Sequence, residues 1–253
     1  MTLLQALVLG IIEGVTEFLP VSSTAHLLLA ERVMHLDGEF MKSFSIIIQL
    51  GAILSVVVLY WQRFLNFDVL KKLVVAVIPT GVIGLTVYKA IKGYLMGNIT
   101  VILLTLLIGG IALIVFERFR QEDERDVDFH EITYRKAFLI GLFQAIAVIP
   151  GVSRSAATIV GGSLLGVSKR TIVEFSFMLA VPTMLAATGL ELLKSRAALS
   201  GNFGVLGIGF VVSFVTAIIA IKSFLAYLKR RDFSMFGWYR VALALVFYLV
   251  FIR

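Results

Sequence analysis

Two stretches of an otherwise apolar chain carry residues able to do chemistry. The first, EGVTEFLPVSSTAH, runs from Glu13 to His26. Glu13 and Glu17 are four apart, so on a helix their carboxylates share one face. Such a pair repels unless a cation or an arginine lies nearby, and it is too costly to leave in lipid, so it faces a polar cavity. Pro20 breaks that helix, after which Ser22 or Ser23 can cap a second one. Ser23 and His26, three apart on its first turn, form the minimal arrangement of nucleophile and base.

The second stretch, PGVSRSAAT from Pro150 to Thr158, repeats the break with different chemistry. Gly151 lets backbone approach a ligand closely, and free amides at the start of the next helix favour anions. Arg154 adds a forked cation suited to phosphate, flanked by the hydroxyls of Ser153, Ser155 and Thr158. The plainer readings are that Thr16, Thr24 and Ser155 bond their own helix backbone, that Arg154 pairs with Glu13 or Glu17, and that His26 is a satisfied interior histidine.

The rest of the chain must hold these stretches inside a membrane. Of its 253 residues 59% are hydrophobic and 15% charged, with a mean hydropathy of +0.99, beyond the range of soluble domains. Apolar runs cover Phe44 to Trp61, Leu73 to Tyr88, Gly93 to Phe116, Ala137 to Ser153, Ala197 to Ile221, and Phe233 to Ile252 apart from Arg240. Most approach the roughly 20 residues a helix needs to cross a bilayer, and none alternates as a barrel strand does. No Lys or Arg precedes Glu13, so no secretory signal is expected. The absence of cysteine excludes disulfide and thiolate chemistry. The net charge of +7 sits mostly in short loops, where membrane topology explains it and nucleic-acid binding is not expected.

A shift of 131 positions brings parts of the chain into register with each other, from Gln5 to Ser45 against Lys136 to Ser176. QALVLGIIEG at Gln5 falls on KAFLIGLFQA at Lys136, PVSSTA resembles PGVSRSA with one extra residue, and Phe44 and Ser45 fall on Phe175 and Ser176. The expected fold is an all-α integral membrane protein in one domain, 1–253. Residues 1–117 form a first repeat, 118–136 a polar, solvated cytoplasmic linker, and 137–253 a second repeat of inverted topology. About six helices cross fully, and the two proline-broken stretches are re-entrant hairpins; the alternative has eight to ten spans. The linker and the loops after Trp61 and Tyr227 are richest in Lys and Arg, which puts them on the cytoplasmic side. Gln49 and Gln144 are possible supports for the site, Glu174 and Glu191 sit near span ends, and His35 and His130 lie in loops without an assigned role.

At EGVTEFLPVSSTAH and PGVSRSAAT, supported by FSIIIQLGAI and FSFMLAVP, the chain resembles the undecaprenyl-diphosphate phosphatase (bacitracin-resistance) family of bacterial lipid-carrier recycling. Ala25 departs from the glycine frequent in that family's SSTGH pattern, a difference of one methyl group. The resemblance implies hydrolysis of undecaprenyl diphosphate to undecaprenyl phosphate and inorganic phosphate, at the outer face of the cell membrane and among its lipids. It implies a divalent cation, Mg²⁺ or Ca²⁺, for which Glu13 and Glu17 are the candidate ligands. It makes Ser23 and His26 the catalytic pair, Glu17 their partner, and Arg154 with Ser153 and Thr158 the phosphate-binding signature, to which Gly151, Ser155 and Ser22 are added from their positions at the two breaks. Sequence alone leaves open whether Ser23 or His26 is the nucleophile. The rival reading from the inverted repeat is a lipid-carrier flippase or anion transporter.

Overall fold

The structure is a computed structural model that describes residues 1–95, 97–120, 127–194 and 202–251, with the side chains of 88–92 and 190–194 outside the description. Its elements are helical: α1 Leu3–Thr16, α2 Ser23–Val33, α3 Glu39–Phe64, α4 Phe67–Tyr94, α5 Ile99–Phe119, α6 Tyr134–Ala145, α7 Arg154–Leu164, α8 Lys169–Lys194, α9 Phe203–Leu228 and α10 Ser234–Phe251. Six of these, α3, α4, α5, α8, α9 and α10, are long and apolar enough to cross a membrane, which makes this a multi-pass membrane protein. Helices are the form an apolar run takes in lipid, because each satisfies its own backbone polar groups.

The other four have 14, 11, 12 and 11 residues. At about 1.5 Å per residue none reaches the roughly 30 Å of a bilayer core. The run Ala137 to Ser153 is therefore no single spanning helix. Its helix ends at Ala145, passes through a single 3-10 turn at Ile146–Val148, and breaks before Ser153. Nor does either helix continue up to its proline. A helical Pro20 would drive its ring against the carbonyl of Thr16, and α1 stops at Thr16; Pro150 bears the same relation to Ile146, one residue past the end of α6.

The apolar run from Gly93 to Phe116 is also divided. Gly97 takes φ +75°, and the Asn98 side chain accepts from the amides of Thr100 and Val101 at 3.0 and 3.3 Å, so α5 starts afresh at Ile99. Gly93 belongs to the end of α4. The run expected from Ala197 begins among residues outside the description and is helical from Phe203 to Leu228.

Helix starts repeat with the sequence. Thr2 caps α1 through the amide of Gln5, and Thr133, 131 positions on, caps α6 through that of Lys136. Ser23–Val33 and Arg154–Leu164 coincide end to end under the same shift. Packing exchanges between the halves: α1 rests mainly on α9, α6 on α4, and α5 pairs with α10. The α1–α9 crossing is close because small residues face each other, the common means of helix association in lipid. A Cβ on Gly14 would stand 2.0 Å from Thr216 Oγ1 and 2.5 Å from the Ser213 carbonyl. Gly14→Val must therefore push α1 off α9 and is expected to lower stability by about 1–3 kcal/mol or more. A thermal melt of the detergent-purified variant checks this, and an unchanged midpoint would contradict the close crossing.

Part of the linker is packed rather than solvated. Ile132 is fully buried and Phe129 nearly so. The Lys72 ammonium donates to the Phe129 carbonyl at 3.0 Å, and Glu131 accepts from the Ser168 amide at 2.7 Å, at the start of α8. Two apolar side chains and one helix-capping carboxylate hold 127–133 down; linker residues 121–126, with Arg125, lie outside the described residues, as does the Glu191 side chain.

Candidate active site

Both helix breaks end in the same device. Ser22 and Ser153 adopt left-handed backbone, φ 72° and 75°, and each caps the next helix, accepting from the amides of Ala25 and Ala156 at 3.4 and 3.2 Å. A serine with positive φ is strained and persists only when its surroundings impose it. The next residues, Ser23 and Arg154, are the first of α2 and α7, and they occupy equivalent positions in the two repeats.

These two converge on one carboxylate. Ser23 Oγ donates to Glu17 Oε2 in a short hydrogen bond, and Arg154 Nη2 donates to Glu17 Oε1 at 2.9 Å. Glu17 and Ser23 are 9% and 8% exposed, so the bonds are shielded from water and stronger for it. Two helix N-termini point at this spot, each with first-turn amides and a positive dipole end. Phe18, fully buried, packs edge-on against Phe177 at 5.5 Å, and the Arg154 guanidinium lies 5.8 Å from its ring centroid.

The remaining predicted residues take distinct places. Arg154 Nη1 donates to the Ser176 carbonyl at 2.8 Å, while its buried Nε has no partner. Thr158 bonds Ser176 Oγ at 2.6 Å and the carbonyls of Arg154 and Ser155, both at 3.0 Å, so it shapes the Arg154 turn. Ser155 crosses between the two interrupted segments, donating to the Leu19 carbonyl at 2.8 Å, while its hydroxyl also lies 3.1 Å from Ser153 Oγ. Thr16 only bonds the Ile12 carbonyl. Gly151 takes φ +90°, and a Cβ there would lie 2.0 Å from Thr105 Oγ1. Gln144 bonds Thr80 and Thr183, apart from the Glu17 cluster.

His26 does not meet Ser23. Its Nδ1 lies 2.8 Å from the Ser22 carbonyl and must donate there. Its Nε2 is then the acceptor, and Tyr239 donates to it at 2.7 Å. Proximity along the helix placed the imidazole one turn from Ser23, but its nitrogens are engaged elsewhere and Glu17 holds the hydroxyl instead.

Glu13 is fully buried, and no N–H or hydroxyl donates to its carboxylate oxygens; the groups beside it are the Glu17 carboxylate, close enough to share a proton with it, and the Arg154 guanidinium. Orphaned carboxylate oxygens beside a second carboxylate fit a hard, oxygen-ligated cation. Among the described residues no cluster of three or more metal-ligating side chains exists.

Sequence reasoning passed over Arg240, Tyr239, Thr105 and Ser176. Arg240 left a signal as a lone charge inside an apolar run, and Ser176 as part of the repeated Phe-Ser pair. Tyr239 and Thr105 are ordinary residues until folding brings them beside the interrupted turns.

Fold and site together define a helical membrane protein with a buried hydroxyl, carboxylate and guanidinium gathered where two interrupted helices meet, a constellation suited to an anionic group carried by a lipid. The chain belongs to the bacitracin resistance protein BacA family, whose model matches residues 6–246. It is 48% identical to the undecaprenyl-diphosphatase of Aquifex aeolicus over 98% of both chains. It is 45% identical to that of a Sulfurihydrogenibium species over 98% of this chain and 99% of the relative, and 48% identical to that of Bdellovibrio bacteriovorus over 97% and 95%.

Proposed function

We propose that this chain hydrolyses undecaprenyl diphosphate to undecaprenyl phosphate and inorganic phosphate, recycling the lipid carrier in the plasma membrane and conferring bacitracin resistance. The hairpins α1–α2 and α6–α7 enter from opposite leaflets, and the site opens to the external side. The shortness of these four helices, their common register and their exchanged packing support the hairpin reading. The observation that carries the chemistry is the Glu17 carboxylate bonded to Ser23 by one oxygen and to Arg154 by the other.

The terminal phosphate binds where the N-termini of α2 and α7 meet, engaging Arg154. Ser23 Oγ attacks the terminal phosphorus as its proton passes to Glu17 Oε2, and undecaprenyl phosphate leaves. Water then attacks the phosphorus of the phosphoserine; the bond from phosphorus to Ser23 Oγ breaks as protonated Glu17 returns its proton to Oγ, and inorganic phosphate leaves with both protons of the water, which restores the Ser23 hydroxyl and the Glu17 carboxylate. Arg154 and the first-turn amides offset charge on the equatorial oxygens, the main task of a phosphoryl-transfer site. Glu13 and Glu17 would hold a divalent cation, Mg²⁺ or Ca²⁺. When bound it supplies further positive charge to the phosphate oxygens.

The test is phosphate release from a prenyl diphosphate by purified protein in detergent, where no gradient exists. A transporter would release none and would move lipid carrier only in sealed vesicles. In the same assay Arg154→Lys is expected to lose about 100-fold or more in kcat/KM, because an ammonium cannot reproduce a forked contact. Near-normal turnover in that variant would remove two-pronged recognition from the mechanism.

A further inference from the structure

Arg240 lies within α10 and is fully buried, the largest side chain so enclosed. It has no carboxylate partner among the described residues. A guanidinium at membrane depth without an anion is costly, so its bonds must serve some purpose. Nη1 donates to the carbonyls of Pro20 and Val152 at 3.4 and 3.1 Å. Nη2 donates to those of Thr105 and Gly151 at 3.0 and 3.1 Å.

Three of these four carbonyls belong to the interrupted turns. Pro20 comes two residues before left-handed Ser22; Gly151 and Val152 immediately precede left-handed Ser153. Pro20 and Gly151 are equivalent positions of the two repeats, 131 apart, so one planar group bonds matching points of both. Gly109, on α5, lies directly against this guanidinium: a Cβ there would stand 2.2 Å from Arg240 Nη2. The missing side chain at Gly109 leaves the room that the guanidinium occupies between α5 and α10.

We propose that Arg240 is a positioning residue for the hydrolysis: its guanidinium ties the two turns together and sets the separation at which Ser23 and Arg154 meet the phosphate. This rests on the hydrolase reading above for its kinetic consequence, but not for its geometry. Arg240 has no bond to Ser23, Glu17 or the Arg154 side chain, and its hydrogen bonds all go to backbone carbonyls. Charge alone cannot do this, since one ammonium cannot span four carbonyls on three segments.

The test compares Arg240→Lys and Arg240→Gln with the unaltered protein in kcat and KM per folded molecule, and in amide hydrogen exchange at Ser22–Thr24 and Ser153–Ser155. Both variants are expected to lose about 100-fold in kcat, the scale of an ångström-sized misplacement, with KM changed less than about threefold. Exchange should rise in both turns together while α3 and α8 stay protected. Gly109→Ala, which displaces the guanidinium and keeps its charge, should show the same pattern more weakly, and it decides the matter if the Arg240 variants do not fold. Full kcat in Arg240→Lys, a loss confined to KM, or unaltered constants with only less folded protein would each overturn the proposal. If the unaltered protein releases no phosphate, the hydrolase reading fails, while coupled exchange in both turns would still sustain the clamp and its absence would refute it.

Discussion

Ser23→Ala is expected to lower kcat for phosphate release by about four orders of magnitude or more while leaving the fold intact, since covalent catalysis has no substitute hydroxyl in place. The Ser23 hydroxyl bonds only Glu17, and Glu17 keeps its pairing with Arg154 when that hydroxyl is gone, so no charge is left unpaired. The melting temperature should move little. Phosphoenzyme trapped from the unaltered protein should be stable to acid and labile to base, as a phosphoserine is. Acid-labile label, or appreciable turnover in Ser23→Ala, would make His26 the nucleophile. The bonds of His26 argue against that, because Nδ1 is committed to the Ser22 carbonyl and Nε2 to Tyr239.

Glu17→Gln should cost about 10³-fold in kcat, within the range for loss of a general base. The amide keeps an oxygen for Arg154 and nearly the same volume, but it cannot take the Ser23 proton. It also releases Arg154 from a charged partner, so KM should stay level or fall. This split between kcat and KM separates a base from a residue that merely binds substrate, whose loss would raise KM. His26→Gln should cost less than Glu17→Gln, because the imidazole does not touch Ser23. The reverse order, or a Glu17→Gln kcat within about threefold of the unaltered value, would return the role of base to His26.

Much of the site was legible because its residues are too polar for lipid and their local geometry follows from spacing. Glu13 and Glu17 stand one turn apart, Pro20 and Pro150 forbid a continuous helix, and Ser22 and Ser153 cap α2 and α7 beyond the breaks. Pairings between distant segments were not legible. The helical spacing of Ser23 and His26 suggested a bond that is absent. The Ser23 to Glu17 bond crosses the break at Pro20, where the chain leaves helical periodicity and spacing no longer predicts direction. Tyr239 stands 213 residues from His26, and Arg240 between 88 and 220 residues from the carbonyls it holds, and no local rule reaches that far.

By itself, then, the sequence determined the solvent, the helices and their repeat, because burying a backbone in lipid leaves few choices and hydropathy, proline and caps act over a turn or two. Tertiary structure alone decided which base faces Ser23, why Arg154 stops at Glu17, and how one guanidinium serves both turns. Those outcomes depend on where four short helices come to rest against six long ones, and small-residue contacts such as Gly14 against Thr216 set how closely they approach.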